Sequence, residues 1–228
     1  MERYRCEATS LGGFVQQLAV SYVARGYRFY VTGHVPERKD PRSVDEKLID
    51  RYGIDVSKSE RSRRKLAGGA NLHYLRLGRF FVLIATKGKH RFFEDEGDSI
   101  RDCGRVSIKC GGYAIGSADG HPRVQIELEE FKRLKAYFLD LSVCRSRESL
   151  EVELERLPFE PYAPVRRQFL VILRAVNRAR SEAGYEPVSK SCLRFKRRIY
   201  RPFESGEVEP YGTNGLEEPS YTNSLIKK

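Results

Sequence analysis

The residues of this sequence with the clearest chemical potential are basic, and they are concentrated in three stretches. Two of them flank a pair of apolar segments within residues 57–91, and the third covers residues 166–201. The third stretch holds eleven Lys and Arg residues against two Glu residues, a net charge of +9. Guanidinium groups bind phosphate oxygens through paired N–H donors, and arginine-rich helices can also present side chains to base edges. The predicted nucleic-acid-binding residues are Lys58, Arg61, Arg63, Arg64, Lys65, Lys87, Lys89, Arg91, Arg166, Arg167, Arg174, Arg178, Lys190, Arg194, Lys196, Arg197, Arg198 and Arg201.

The overall charge of the chain supports a nucleic-acid partner, DNA or RNA. Its formal net charge is +11, from 42 Lys and Arg residues against 31 Asp and Glu residues. Residues 204–228 contain five Glu and two Lys, which leaves +14 on residues 1–203. A basic body attracts phosphate polymers through its long-range field and through counterion release. We expect residues 204–228 to form a flexible acidic tail, which is a candidate segment for binding a protein partner.

Residues suited to catalysis form no complete motif, so we assign no catalytic residue. The four histidines are never two or four residues apart, which excludes a local metal-binding pair, although His34 and His73 lie at predicted strand ends and could converge. The acidic residues within 94–102 are candidate magnesium ligands. The glycine pairs of the chain lack the Lys-Ser/Thr of a phosphate-binding loop. We expect no cofactor, and magnesium only if the chain is a nuclease.

The spacing of apolar residues predicts the elements that position the N-terminal basic stretches. Residues 3–9 and 27–35 are predicted strands, joined by a helix that ends at Gly26 and therefore expected to run parallel through a right-handed crossover. Ser43 and Glu46 predict a capping box for a second helix, after which the basic run is expected to be an exposed, mobile loop. Residues 71–77 and 80–86 then predict a central hairpin.

This order of elements predicts an α+β fold with a ferredoxin-like (plait) sheet and packed helices, followed by an arginine-rich helical extension. Three short strands, an amphipathic helix over residues 128–143 and a helix capped by Ser146 complete the predicted core. Three prolines within seven residues mark a boundary at residue 158. After it, a helix is predicted over residues 165–183, and a turn then leads to a second basic helix over residues 189–199. The predicted domains are therefore a core of residues 1–157, a basic helical subdomain of residues 158–203 and the tail of residues 204–228.

Three functions are consistent with these features. The leading one is nucleic-acid binding within a mobile-element, replication or nucleic-acid-guided system. The second is a metal- or tyrosine-dependent nuclease or nicking enzyme on a plait fold. Replication initiators and single-strand transposases of the paired-histidine class have such a layout, which this chain resembles in strand and helix order alone, because the His–hydrophobic–His motif is absent. The third is a protein-interaction subunit of a larger nucleoprotein complex.

The composition also predicts where the protein is found. No apolar run approaches the roughly 20 residues that cross a bilayer, and the N-terminus lacks the apolar middle of a signal peptide. The five cysteines are odd in number and dispersed, which favours reduced thiols over a disulfide framework. We therefore expect a cytoplasmic protein that does not enter membranes.

Overall fold

The computed structural model describes residues 4–204, and these residues form a mixed α+β fold with two β-sheets. The strands are β1 (Glu7–Ala8), β2 (Phe29–His34), β3 (Leu72–Leu77), β4 (Phe80–Ala85), β5 (Arg101–Asp102), β6 (Ile108–Cys110), β7 (Tyr113–Ala118) and β8 (His121–Ile126). The helices are α1 (Leu11–Gln16), α2 (Pro41–Arg51), α3 (Lys58–Leu66), α4 (Arg91–Glu96), α5 (Leu128–Ser142), α6 (Arg147–Glu155) and α7 (Ala163–Glu182). The first sheet has the order β1-β3-β4-β2-β5 and the second the order β6-β7-β8.

The hairpin β3–β4 occupies the centre of the larger sheet, as the sequence predicts. Gly78, at φ +57°, makes the tight turn between the two strands. Side chains of β4 alternate between the two faces, so that Val82 and Ile84 join one hydrophobic cluster while Leu83 and Ala85 join another. Both faces of β4 are buried, and β3 and β2 pair with the backbone groups on its two edges, so β4 is a central strand.

The first two strands run parallel, as predicted, but they are not neighbours in the sheet. Strand β1 pairs in parallel with β3, and the whole hairpin separates β1 from β2. The reason is the two-sided burial of the hairpin, which places it between the strands that precede it in sequence. A ferredoxin-like plait is not confirmed by this strand order. The connection after β1 runs through α1, a π-helical turn at Gln17–Tyr22 and a 3₁₀ turn at Val23–Arg25, and it ends at Gly26 as expected, with φ +88°.

Two predicted local features differ in the structure. Helix α2 begins one turn earlier than the expected capping box, because the Asp40 side chain accepts a hydrogen bond from the Ser43 N–H and Pro41 occupies the first turn. The basic run is a helix, α3, and not a mobile loop. The Ser57 side chain caps it by accepting from the Glu60 N–H.

The second sheet and the C-terminal helices cover one face of the central sheet. Helix α7 packs against α5 and β8, and its buried side chains belong to the same hydrophobic cluster as those of α1 and β4. The predicted helices over residues 128–143 and 165–183 correspond to α5 and α7. After α7, however, the chain forms a single 3₁₀ turn at Lys190–Cys192 and is otherwise irregular to residue 204, so a second basic helix is wrong. The division at residue 158 stays a prediction, and most of the predicted tail lies outside the described residues.

Candidate nucleic-acid interface

The two basic stretches that flank the hairpin lie side by side in the structure, and we call them the α3 patch. The patch comprises Lys58, Arg61, Arg63, Arg64, Lys65, Lys87, Lys89 and Arg91. Lys89 joins the two stretches, because its N–H donates to the Gly68 carbonyl and its carbonyl accepts from the Ala70 N–H, both at 3.0 Å. Gly88 makes this approach possible, since a Cβ there would lie 2.6 Å from the backbone of Gly69 and Ala70.

Within the α3 patch, the arginines are largely engaged by the protein itself and the lysines are not. Arg61 donates to the Ile54 carbonyl and Arg64 to the Gly53 carbonyl, so both tie the helix to the preceding turn. Arg63 and Arg91 form ion pairs with carboxylates of their own helices. Among the described residues, no carboxylate lies within ion-pair distance of the exposed Lys58, Lys65, Lys87 and Lys89.

Helix α7 carries a different arrangement, which we call the α7 stripe and define as Arg167, Arg174 and Arg178. The buried face of the helix, which includes Phe169 and Leu173, points into the core. The three arginines lie at positions i, i+7 and i+11, on the opposite and exposed face. Among residues 4–204, none of these guanidinium groups has a carboxylate within 4 Å. The stripe therefore presents three unneutralised charges to solvent.

Some of the arginines in the same stretch of sequence serve the fold instead. Arg180 is buried and donates to the carbonyls of Ser142, Arg145 and Glu186, which joins the end of α7 to the end of α5. This residue was not among the predicted binding residues. Its position on the buried face of the helix follows from the spacing of Phe169, Ile172, Leu173 and Val176, which it continues.

Residues 194–204 form an extended segment across the surface, which we call the C-terminal strap, and Glu160 anchors it. Glu160 is buried, and its carboxylate accepts from the Arg194 guanidinium at 3.3 Å, the Arg198 N–H at 2.9 Å and the Tyr200 hydroxyl at 2.8 Å. Arg194 also donates to the Phe159 carbonyl. Of the predicted binding residues in the strap, Arg194 is thus committed to the interior, whereas Lys196 is exposed.

The far end of the strap is fixed to α1. The Gln16 side chain donates to the Tyr200 carbonyl and accepts from the Tyr200 N–H, at 2.7 and 3.2 Å. The Tyr200 ring lies against Gly12, where an added Cβ would be 2.3 Å from the nearest ring atom. Thr9 then donates from its N–H to the Pro202 carbonyl. Arg201 is consequently held at the surface, where it pairs with Glu204 at 2.9 Å.

The predicted binding residues therefore do not all converge. The α3 patch adjoins the residues that precede β3, whereas the strap ends beside Thr9, beyond the opposite end of that strand. Strand β3 has six residues, and such a strand is about 20 Å long. An elongated ligand could bridge the two regions, whereas a small ligand would occupy one of them.

The residues considered for catalysis are distributed across the fold. His34 and His73 lie four register positions apart on β2 and β3, with β4 between them, so they do not converge. The acidic stretch is engaged in the fold as well, because Asp95 pairs with Arg51 and Arg91, and Asp102 pairs with Arg28. Within the part of the chain that the structure describes, no group of three His, Cys, Asp or Glu residues could hold a metal ion.

Two buried polar clusters were not anticipated from the sequence. In the first, Asp45 accepts hydrogen bonds from the Arg76 guanidinium at 2.9 Å and from the Tyr74 hydroxyl at 2.6 Å. Glu7, which is half exposed, also pairs with Arg76 at 3.1 Å. The alternation of β3 places Tyr74 and Arg76 on the face toward α2. This shared face could have indicated a buried polar cluster from the sequence, but the apolar residues of β3 around Tyr74 and Arg76 obscure the pattern.

The second cluster surrounds His73. Its ring stacks on Tyr22, with centroids 4.2 Å apart, and contacts Tyr27 at 4.8 Å. The Tyr4 hydroxyl lies 2.9 Å from Nδ1 of His73. Burial lowers the pKa of His73 to about 3, and the nearby positive charges of Arg61 and Arg25 add to the decrease. His73 is therefore neutral at neutral pH, in a partly buried position.

No family model, curated protein or solved structure matches the chain. Among the helices of residues 4–204, none combines the length and the apolar character needed to cross a lipid bilayer.

Proposed function

We propose that this protein binds nucleic acid through the phosphate backbone, and that the α7 stripe is the principal contact surface. The single observation that supports the proposal most directly is that Arg167, Arg174 and Arg178 share one exposed helix face without a carboxylate partner among the described residues. An exposed cation without an internal partner is available to an external anion at no cost in folding energy.

The contrast with the neighbouring helices strengthens this point. On α5, Lys132 and Arg133 pair with glutamates one turn away, at 2.9 and 2.7 Å. On α6, Arg147 pairs with Glu151 in the same way. These three cations are therefore neutralised by carboxylates of their own helices. The three arginines of the α7 stripe differ from them, because no described carboxylate lies within 4 Å of their guanidinium groups.

The dimensions of the stripe suit a polyanion. Helical residues rise about 1.5 Å each, so Arg167 and Arg178 are separated by roughly 16 Å along the axis, with Arg174 between them. A run of several phosphates along a strand can contact all three guanidinium groups, each of which can bind a phosphate through two donors. The free lysines of the α3 patch would add non-specific attraction over a longer range.

Replacing the three stripe arginines with glutamine tests the proposal. Binding of labelled single-stranded and duplex DNA and RNA would be followed by fluorescence anisotropy over a series of salt concentrations. Loss of three phosphate contacts should reduce the slope of log K against log[salt] by about 2 for a single strand and by somewhat more for a duplex. The substitutions lie on an exposed face, so thermal unfolding should change little.

The matched control is the triple variant Lys109→Gln, Lys132→Gln and Arg133→Gln. These three cations are equally exposed, and the variant loses the same formal charge, but each residue already pairs with a glutamate at 2.7 to 2.9 Å. It should keep most of the salt dependence. Equal slopes for the two triple variants would show that net charge alone governs binding, and an unchanged slope in the α7 variant would remove the stripe from the interface.

A further inference from the structure

A pocket lies beside the first turn of α7, where four parts of the fold meet. Its volume is about 320 Å³, at the small end of the range for ligand sites. The π-helical turn after α1 forms one wall and β8 the next, while the start of α7 and the C-terminal strap close the other sides. The lining includes Val20, Val124, Tyr162, Arg166, Phe195 and Arg197.

The walls and the mouth of the pocket have different chemistry. Val124 is buried, and the aromatic side chains of Tyr162 and Phe195 are partly buried, so the walls are apolar and partly flat. Arg166 and Arg197 are the two charged residues of the lining, and both are basic. A molecule that fits should therefore combine an apolar, preferably planar body with a negative charge.

The two arginines differ in how firmly they are held. The Arg197 guanidinium lies 4.8 Å above the Tyr162 ring and donates to the hydroxyl of the same residue at 3.1 Å. Arg166 has no carboxylate within 4 Å among the described residues and adjoins Arg167 of the stripe. The first turn of α7 carries no acidic residue and no side-chain cap, so the partial positive charge of the helix start adds to that of Arg166.

We propose that this pocket receives one unpaired base of a nucleic-acid strand, with the adjoining phosphate bound by Arg166 and Arg197. The inference depends on the proposed function, since it names the form of nucleic acid that the α7 surface takes. A planar base can stack on Tyr162 or Phe195, whereas a paired base is stacked within its duplex and must be flipped out first. The pocket therefore selects single strands over duplexes.

A free nucleotide has the same chemistry as a base within a strand. The strand is the better occupant because the cationic surface continues from the pocket mouth along α7, from Arg166 through Arg167 to Arg178. A mononucleotide would contact Arg166 and Arg197 and would leave the stripe without a ligand.

The test fills the pocket without changing its charge. Val20 is 46% exposed at the pocket, so Val20→Trp should occlude the cavity and leave the core intact. Val152 is 43% exposed on α6 and does not line the pocket, and Val152→Trp is the matched control. If Val20→Trp does not fold, Ala163→Trp, at the exposed first residue of α7, occludes the same pocket.

The probes are a thymidine oligonucleotide of about 12 nucleotides, within the usual range of single-strand site sizes, and an abasic oligomer of equal length. Both present the same phosphates, so a difference in affinity reports the bases. Because each stacked base adds affinity, the wild-type protein and Val152→Trp should bind the thymidine oligonucleotide at least about fivefold more tightly than the abasic one. Val20→Trp should lose this difference while binding the abasic oligomer as the wild type does.

The outcomes separate the two proposals. If Val20→Trp retains the fivefold preference while the triple α7 variant loses salt dependence, the base pocket is wrong and the proposed function stands. If neither variant changes binding, both are wrong. Displacement of the oligonucleotide by thymidine monophosphate at equal nucleotide concentration would show that a free nucleotide is the occupant, and it would overturn the assignment to a strand.

Discussion

Acidification should destabilise this protein through one partly buried histidine, His73. The pKa of His73 is about 3 in the folded protein, against an ordinary value of 6.5, because the ring is buried among Tyr4, Tyr22 and Tyr27 and lies near Arg61. Below pH 6.5 the unfolded chain takes up a proton that the folded chain excludes. Stability is therefore complete above pH 6.5 and falls as the pH decreases toward 3.

The size of the effect follows from the difference between the two pKa values. At pH 4 this difference in proton binding lowers the free energy of unfolding by roughly 3 kcal/mol. Each pH unit below the ordinary pKa contributes about 1.4 kcal/mol, and about 2.5 pH units separate pH 4 from that pKa. Replacing His73 with Phe keeps an aromatic ring against Tyr22 and removes the proton-binding site. At pH 7 the variant should be less stable by about 1 kcal/mol, because the hydrogen bond with Tyr4 is lost.

Urea denaturation of both proteins at pH 7 and pH 4 measures this linkage. Protonation of carboxylates lowers the stability of both proteins alike, so the readout is the difference between their two losses. The wild type should lose about 3 kcal/mol more than His73→Phe. Equal losses would refute the reasoning and would show that the His73 environment admits water or rearranges to accept the proton.

Two further predictions concern the buried ion pair and the thiols. Asp45→Asn should lower the free energy of unfolding by about 3 kcal/mol, because it removes the main charge partner of Arg76, whose side chain is 2% exposed; chemical denaturation checks this, and a loss below 1 kcal/mol would contradict it. Cys144 is the exposed cysteine, whereas burial raises the pKa of the four other thiols to about 11 or 12. A thiol reagent at pH 8 should therefore modify one cysteine rapidly, and Cys144→Ser should abolish that phase; a persistent fast phase would mean that a buried thiol becomes accessible.

The elements that could be predicted are those whose own pattern of apolar residues determines both their secondary structure and their position in the core. The β3–β4 hairpin combines a two-residue turn at Gly78 with strands that are apolar on both faces, and this pattern has few alternatives. The same holds for α5 and α7, where apolar residues recur at helical spacing over 15 and 20 residues. In these cases local pattern and tertiary position agree.

The sequence-based predictions fail where contacts between residues far apart in the sequence determine the structure. Strand β1 has two residues, and its position at the sheet edge beside β3 depends on where the hairpin lies, which no local pattern encodes. Helix α3 contains no buried residue, so it lacks the apolar stripe by which helices are recognised. Its stability comes from the Ser57 cap and from Arg61 and Arg64, whose carbonyl partners precede the helix.

The density of positive charge in the sequence is therefore a poor measure of the charge available to a ligand. Residues 166–201 contain eleven cations, yet Arg180 and Arg194 point inward, to main-chain carbonyls and to Glu160. Charge reversal at Arg194 would place two carboxylates together in a buried site and release the strap, and any loss of binding would then report unfolding. The exposed α7 stripe is free of this ambiguity, because its arginines have no described carboxylate partner to lose. Structure thus changes which arginines can test the function, and the stripe is the set whose removal should alter binding while leaving the fold intact.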